Sequence, residues 1–235
     1  MPVFRSIVFA AALAGLIVGV IISIAQFVGT VPLIQQSEVY ERKAAAGAAH
    51  EQTAAPHDHG NDRSHDSEWE PKDGLQRNAF TVAANILTAI GFALLLTGVY
   101  AIRGRPVTWR EGLLWGLSGF VVFTAAPGLG LPPELPGMPV AELAARQTWW
   151  IATAAATAVG LYLLAFRPAA WAAVLGLGLI VLPHLIGAPL APESHGEVPA
   201  ALSHRFIVVV TLTSLLFWAL LGVCTSIAFG RVSRS

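Results

Sequence analysis

Charge is missing from this chain where a helix packed in water would need it. Six long apolar stretches, roughly Phe4 to Val31, Ala79 to Ile102, Gly112 to Leu131, Gln147 to Phe166, Ala169 to Ala188 and Phe206 to Phe229, fill most of the sequence. The last five contain no Asp, Glu, Lys or Arg, and the first has only Arg5, at its edge. About 20 mostly apolar residues carry a helix across the hydrocarbon core of a bilayer. A helix lying on a soluble core would instead keep a charged face at the helical period. None of the six has one. The expected fold is all-α, a polytopic membrane bundle of about six transmembrane helices with a His-rich outer loop.

Composition narrows the function classes. The chain is 55% hydrophobic and 12% charged with a formal net charge of zero, so it has no basic patch for nucleic acid. Its one cysteine, Cys224, lies in the last apolar stretch. That excludes an intramolecular disulfide or a multi-cysteine metal site and suits a small buried apolar residue. Little sequence remains for a soluble domain. Residues 1–235 are expected to form a single membrane domain, with an outer loop at 32–78 whose part from about 48 to 74 is flexible and rich in His and acids. The chain has no G-x-x-x-x-G-K-[ST] phosphate loop, H-E-x-x-H, nucleophile elbow or dinucleotide glycine pattern. Neither enzyme activity nor a bound cofactor is expected.

Loop charges set an orientation. The first apolar run, about 25 residues, exceeds the 7–15 of a signal-peptide core, so it is expected to remain as a span. Arg5, Arg103, Arg105, Arg110, Arg167, Arg231 and Arg234 fall on one side with only Glu111 among them, and the other 13 of 14 acids lie opposite. The positive-inside rule then places both termini in the cytoplasm. Small residues recur every fourth position in span one (Ala11, Gly15, Gly19, Ser23) and in span four (Ala152, Ala156, Gly160). Such stripes let helix backbones approach closely. Packing within the chain is the first expectation, and self-association as a homo-oligomer is the alternative. Asn85, Thr81 and Thr88 in span two are polar enough to bond across helices or to line a cavity, with bonding the first expectation.

Chemistry gathers on the outer side. Gln35 to Ala49 has helical composition and is expected to extend span one outward. Beyond it come His50, His57, Asp58, His59 and His65 among further acids. Imidazole is a good ligand for the later divalent first-row metals, and neighbouring carboxylates raise the local cation concentration. The irregular spacing specifies no single metal. The functional reading is a flexible collector of divalent ions, and the alternative is a solvated linker. Within the membrane, His184 follows Pro183, which lacks an N–H and can open the helix beside the imidazole. It is a candidate ligand on an ion path, or a histidine bonded to a neighbouring helix. The run from Ala126 to Gly137, rich in Pro and Gly, is expected to be irregular and to cap the outer surface, with a tight, rigid interhelical connection as the alternative. Glu134 is its one charge. Glu142 and Arg146 are spaced to pair on one helix face. Glu38 and Glu41 stand near the same bundle mouth. His195, Glu197 and His204 add to that side.

Several segments in order carry a resemblance. They are the apolar amino terminus leading to Glu38-Val39-Tyr40-Glu41, the histidine loop, the Ala126–Gly137 run, Arg146-Gln147-Thr148-Trp149-Trp150, and His184-Leu185-Ile186-Gly187-Ala188-Pro189. Together they resemble the probable cobalt transporter subunit family, CbtA, over essentially the whole chain. The resemblance implies a bacterial inner-membrane protein that takes up Co²⁺ for cobalamin synthesis, with a small single-span, histidine-containing partner (CbtB-like). The residues themselves support a divalent ion and do not choose Co²⁺ over Ni²⁺. The rival reading is a non-transporting scaffold or metal sensor that stabilises a separate permease.

Overall fold

The computed structural model describes residues 2–52, 71–72, 74–192 and 198–233. Helix α1 (Pro2–Val28) breaks at Gly29 and continues as α2 (Thr30–Gln52). Helix α3 (Leu75–Arg103) returns across the bundle. The third span joins α4 (Trp109–Phe120), a π-helical turn (Val121–Ala125) and α5 (Ala126–Gly130). Helices α6 (Leu143–Phe166), α7 (Ala170–Ile186) and α8 (Ala200–Val232) follow. Five spans are long and apolar enough to cross a membrane, and α7 adds a sixth apolar helix of 17 residues. The described residues form no strand. The fold is a polytopic, all-helical membrane bundle, as the apolar stretches require.

Four helices make the core. In α1 the small-residue stripe does pack within the chain: a β-carbon at Gly15 or Gly19 would meet the backbone of Ile90 or Ile86 on α3 at 2.6 Å. On the other side Gly112 and Gly116 of α4 cross Gly222 of α8 so closely that a β-carbon at Gly116 would overlap the Trp218 carbonyl. Lipid tails are as apolar as leucine, so such close approach supplies the packing attraction that holds the helices together. Trp218 is buried at the centre, stacked on Phe123 at 5.5 Å and tilted on Phe92 at 4.7 Å. Core polar groups are satisfied. Asn85 donates to Ser23 Oγ at 3.1 Å and to Gln26 Oε1 at 2.8 Å, the cross-helix bond expected of it. Tyr100 and Thr225 share a hydrogen bond of 3.4 Å between α3 and α8.

Helices α6 and α7 form a hairpin beside this core. Gly160 and Gly176 bring them together, a β-carbon on Gly160 falling 2.6 Å from the Gly176 carbonyl. The hairpin meets the rest of the chain chiefly through the π turn and α5. Towards the arginine-bearing end it stands away from the core, leaving an apolar-walled cavity of about 530 Å³ bounded by Leu95, Leu114, Phe123, Leu161 and Trp218.

Three sequence expectations need correction. The Ala126–Gly137 run is irregular only from Leu131, because Pro127 stands in the first turn of α5, where its missing N–H costs no helical bond within α5. The stripe on α6 runs through Thr153, Thr157 and Gly160, whereas Ala152 is exposed. Glu142 does not pair with Arg146. It caps α6, its carboxylate accepting from Ala144 N at 3.0 Å and Ala145 N at 2.9 Å, which satisfies two otherwise unbonded first-turn donors.

Candidate functional site

The end of the bundle away from the clustered arginines holds the candidate residues. Helix α2 extends span one beyond Gly29, as its composition predicts, and continues to Gln52, so His50 lies in its last turn rather than in irregular loop. His57, Asp58, His59 and His65 lie outside the described residues, as do His195 and Glu197. His204 stands exposed in the first turns of α8.

Glu38 and Glu41 are one turn apart on α2 and meet different neighbours. Glu38 forms an ion pair with Arg77 of α3. The pair lines a polar cavity of about 630 Å³ with Gln26, Thr30, Gln35 and Thr81. Glu41 is exposed and packs along Gly137, whose positive φ of 79° suits glycine at that turn. The loop from Leu131 thus folds against α2 and α8, with Leu135 buried on Leu33 and Phe206.

Glu134 belongs to that loop and accepts a hydrogen bond from Arg146 at 2.7 Å, within an ion pair whose side chains are 19% and 30% exposed. Partly exposed pairs of this kind contribute about 0–1 kcal/mol, weak enough to exchange. One turn further along α6, Trp149 donates to the Pro183 carbonyl at 3.3 Å and sits edge-on to the His184 ring at 5.8 Å. Gly130 fits against the same indole, where a β-carbon would overlap it. Helix α7 ends just beyond, at Gly187 with φ 89°. His184 Nε2 is buried there with no hydrogen-bond partner among the described residues. The helix-bonded alternative for this nitrogen is therefore not what the structure shows.

Sequence reasoning missed two residues. Thr153 and Thr157 are fully buried on α6, and neither hydroxyl has a partner among the described residues. No group of three or more His, Cys, Asp or Glu placed to hold a metal occurs among the described residues. Glu38 and Glu134 are each engaged by an arginine, and they are not brought together with His184 into one ligand cluster.

Comparison with known proteins agrees with the architecture. No curated protein and no solved structure matches the chain. Residues 4–230 match the family described as Probable cobalt transporter subunit (CbtA). With that match covering nearly every helix, this multi-pass membrane protein belongs to the probable cobalt transporter subunit family, CbtA.

Proposed function

We propose that the chain is an inner-membrane subunit that takes up a divalent transition metal, Co²⁺ before Ni²⁺, with both termini in the cytoplasm. The observation that carries this reading is His184 Nε2, a good metal donor buried without a partner among the described residues, in the last turn of a helix and next to a proline. An unsatisfied buried polar group costs about 1–3 kcal/mol, and polar groups at membrane depth mark ion paths. The histidine loop, through His50, His57, His59 and His65 with Asp58, gathers hydrated ions. An arriving cation competes with Arg146 for Glu134, and Glu38 and Glu41 raise the cation concentration at the same mouth. His184 then takes the ion one turn deeper. Exchangeable ligands suit passage, since conduction needs release as well as capture. An inside-negative potential drives each unit of charge by about 2.3 kcal/mol per 100 mV.

The family's description as a subunit supports a partner in the membrane, and a small single-span, histidine-bearing chain fits that role. The scaffold reading draws on a different observation, that Glu38 and Glu134 are already neutralised by Arg77 and Arg146. Uptake of radiolabelled Co²⁺ into proteoliposomes under an imposed inside-negative potential separates the two, with and without the small partner. Transport by wild type that His184→Ala abolishes supports the permease. Equal uptake by the variant removes His184 from the path, and no uptake in either setting favours the scaffold. Deleting residues 48–66 should raise the Co²⁺ concentration needed while leaving transport in place. Unchanged concentration dependence would make the loop a linker.

A further inference from the structure

Threonines in membrane helices ordinarily return their hydroxyl to the carbonyl four residues back. Thr81, Thr97, Thr148, Thr211, Thr213 and Thr225 all do so here, at 2.6–3.0 Å. Thr30, at the start of α2, and Thr153 and Thr157 on α6 do not, and full burial sets the two on α6 apart. Both are 0% exposed, and both hydroxyl oxygens lack a partner among the described residues.

Their position on α6 is specific. Trp149 and Gly160 face α7, through the Pro183 carbonyl and Gly176. Trp150 turns towards the π turn, where it stacks on Phe123 at 6.2 Å. At 3.6 residues per turn, Thr153 and Thr157 fall between those two directions. They therefore look into the junction of α6, α7 and the π turn. A buried proline lies within α7 and another just after the π turn. Pro183, within α7, has no N–H to return to the carbonyl of Leu179, and Pro127, in the first turn of α5, has none to return to the π turn before it. Backbone freed in this way is tolerated at membrane depth where it lines a cavity or a binding site, and π turns often occur at functional sites. Below Thr157 the Gly160–Gly176 crossing closes the seam.

We propose that Thr153 and Thr157 supply oxygen donors to a cation site inside the membrane, below His184 and above the Gly160–Gly176 closure. The ligand class is a partly hydrated divalent cation, held by hydroxyl and backbone oxygens with the imidazole at its outer edge. This rests on the reading of His184 as part of an ion path and extends that path by two turns of α6. Neutral and lined by oxygen, such a site holds an ion briefly and releases it.

The test compares the full-length chain with Thr153→Val, Thr157→Val and the double variant, reading apo melting temperature and Co²⁺ uptake on the same preparations. Valine removes the hydroxyl at nearly constant volume. Packing alone therefore predicts an equal or higher melting temperature and wild-type uptake. The cation site predicts the same melting behaviour with uptake reduced by about tenfold or more, as loss of a charge-facing oxygen implies. Serine and alanine at the same positions keep the question decidable if valine disturbs folding, since both lose the methyl and only serine retains the oxygen. Uptake that is equal in the serine and alanine variants overturns the proposal. Loss of uptake in His184→Ala with wild-type uptake in the double valine variant would leave the His184 path standing and remove the threonine site. Wild-type uptake in all of them would remove both.

Discussion

The core of α1, α3, α4 and α8 and the α6–α7 hairpin treat polar groups in opposite ways. Within the core, Ser23, Asn85, Thr97, Tyr100, Thr225 and Ser226 all have partners, and glycines bring the backbones together. In the hairpin, two hydroxyls and an imidazole nitrogen, between the Gly160–Gly176 approach and the end of α7, have none among the described residues. Three such groups at about 1–3 kcal/mol each are a sizeable fraction of the roughly 5–15 kcal/mol that stabilises a typical domain. Valine in place of either threonine would remove that cost at nearly constant volume. The contrast separates a part that holds the bundle together from a part that leaves polar capacity open for something else.

The largest effect should come from the core. Gly116→Leu places a side chain into the α8 backbone at Trp218, where overpacking costs about 1–3 kcal/mol or more. Loss of the monodisperse peak in detergent chromatography is the expected result, and a normal profile would show that the core yields more easily than the contacts indicate. Next is Glu134→Gln at the hairpin mouth. It leaves Arg146 without its carboxylate, so Co²⁺ uptake should fall at low metal and recover at high metal, with melting shifted only slightly. A lowered maximal rate at saturating metal would instead place Glu134 deeper in the path. The smallest is Asn85→Leu. Cross-helix hydrogen bonds in membranes contribute about 0.6–2 kcal/mol, so melting should drop by a few degrees while uptake per folded molecule holds. A collapse of uptake would move the ion route to α1 and α3 and reverse the contrast.

Much of this was legible in the sequence for physical reasons. Uncharged runs of bilayer length permit little besides spanning helices, and the spacing of Ala11, Gly15, Gly19 and Ser23 defines one face that finds α3. Asn85, a lone amide in an apolar helix, had to find a partner, and did in Ser23 and Gln26. The partner of Arg146 was not legible. Glu142 and Glu134 both lie within reach by sequence, and the helix start at Leu143 decides between them by claiming Glu142 as its cap. The α6 face was misread because small residues at every fourth position fit Ala152 and Ala156 as well as Thr153 and Thr157. Nor does a threonine announce in sequence whether it will return its hydroxyl to its own helix. The π turn at Val121–Ala125 has no sequence marker beyond the proline that follows it.

One measurement tests the division of labour most directly. It is the initial rate of radiolabelled Co²⁺ uptake by right-side-out native membrane vesicles carrying the chain, for His184→Ala beside Asn85→Leu. Both rates are normalised to folded protein. A hairpin route predicts that the histidine variant loses uptake and the asparagine variant keeps it. Uptake retained by His184→Ala, with or without loss in Asn85→Leu, would contradict it.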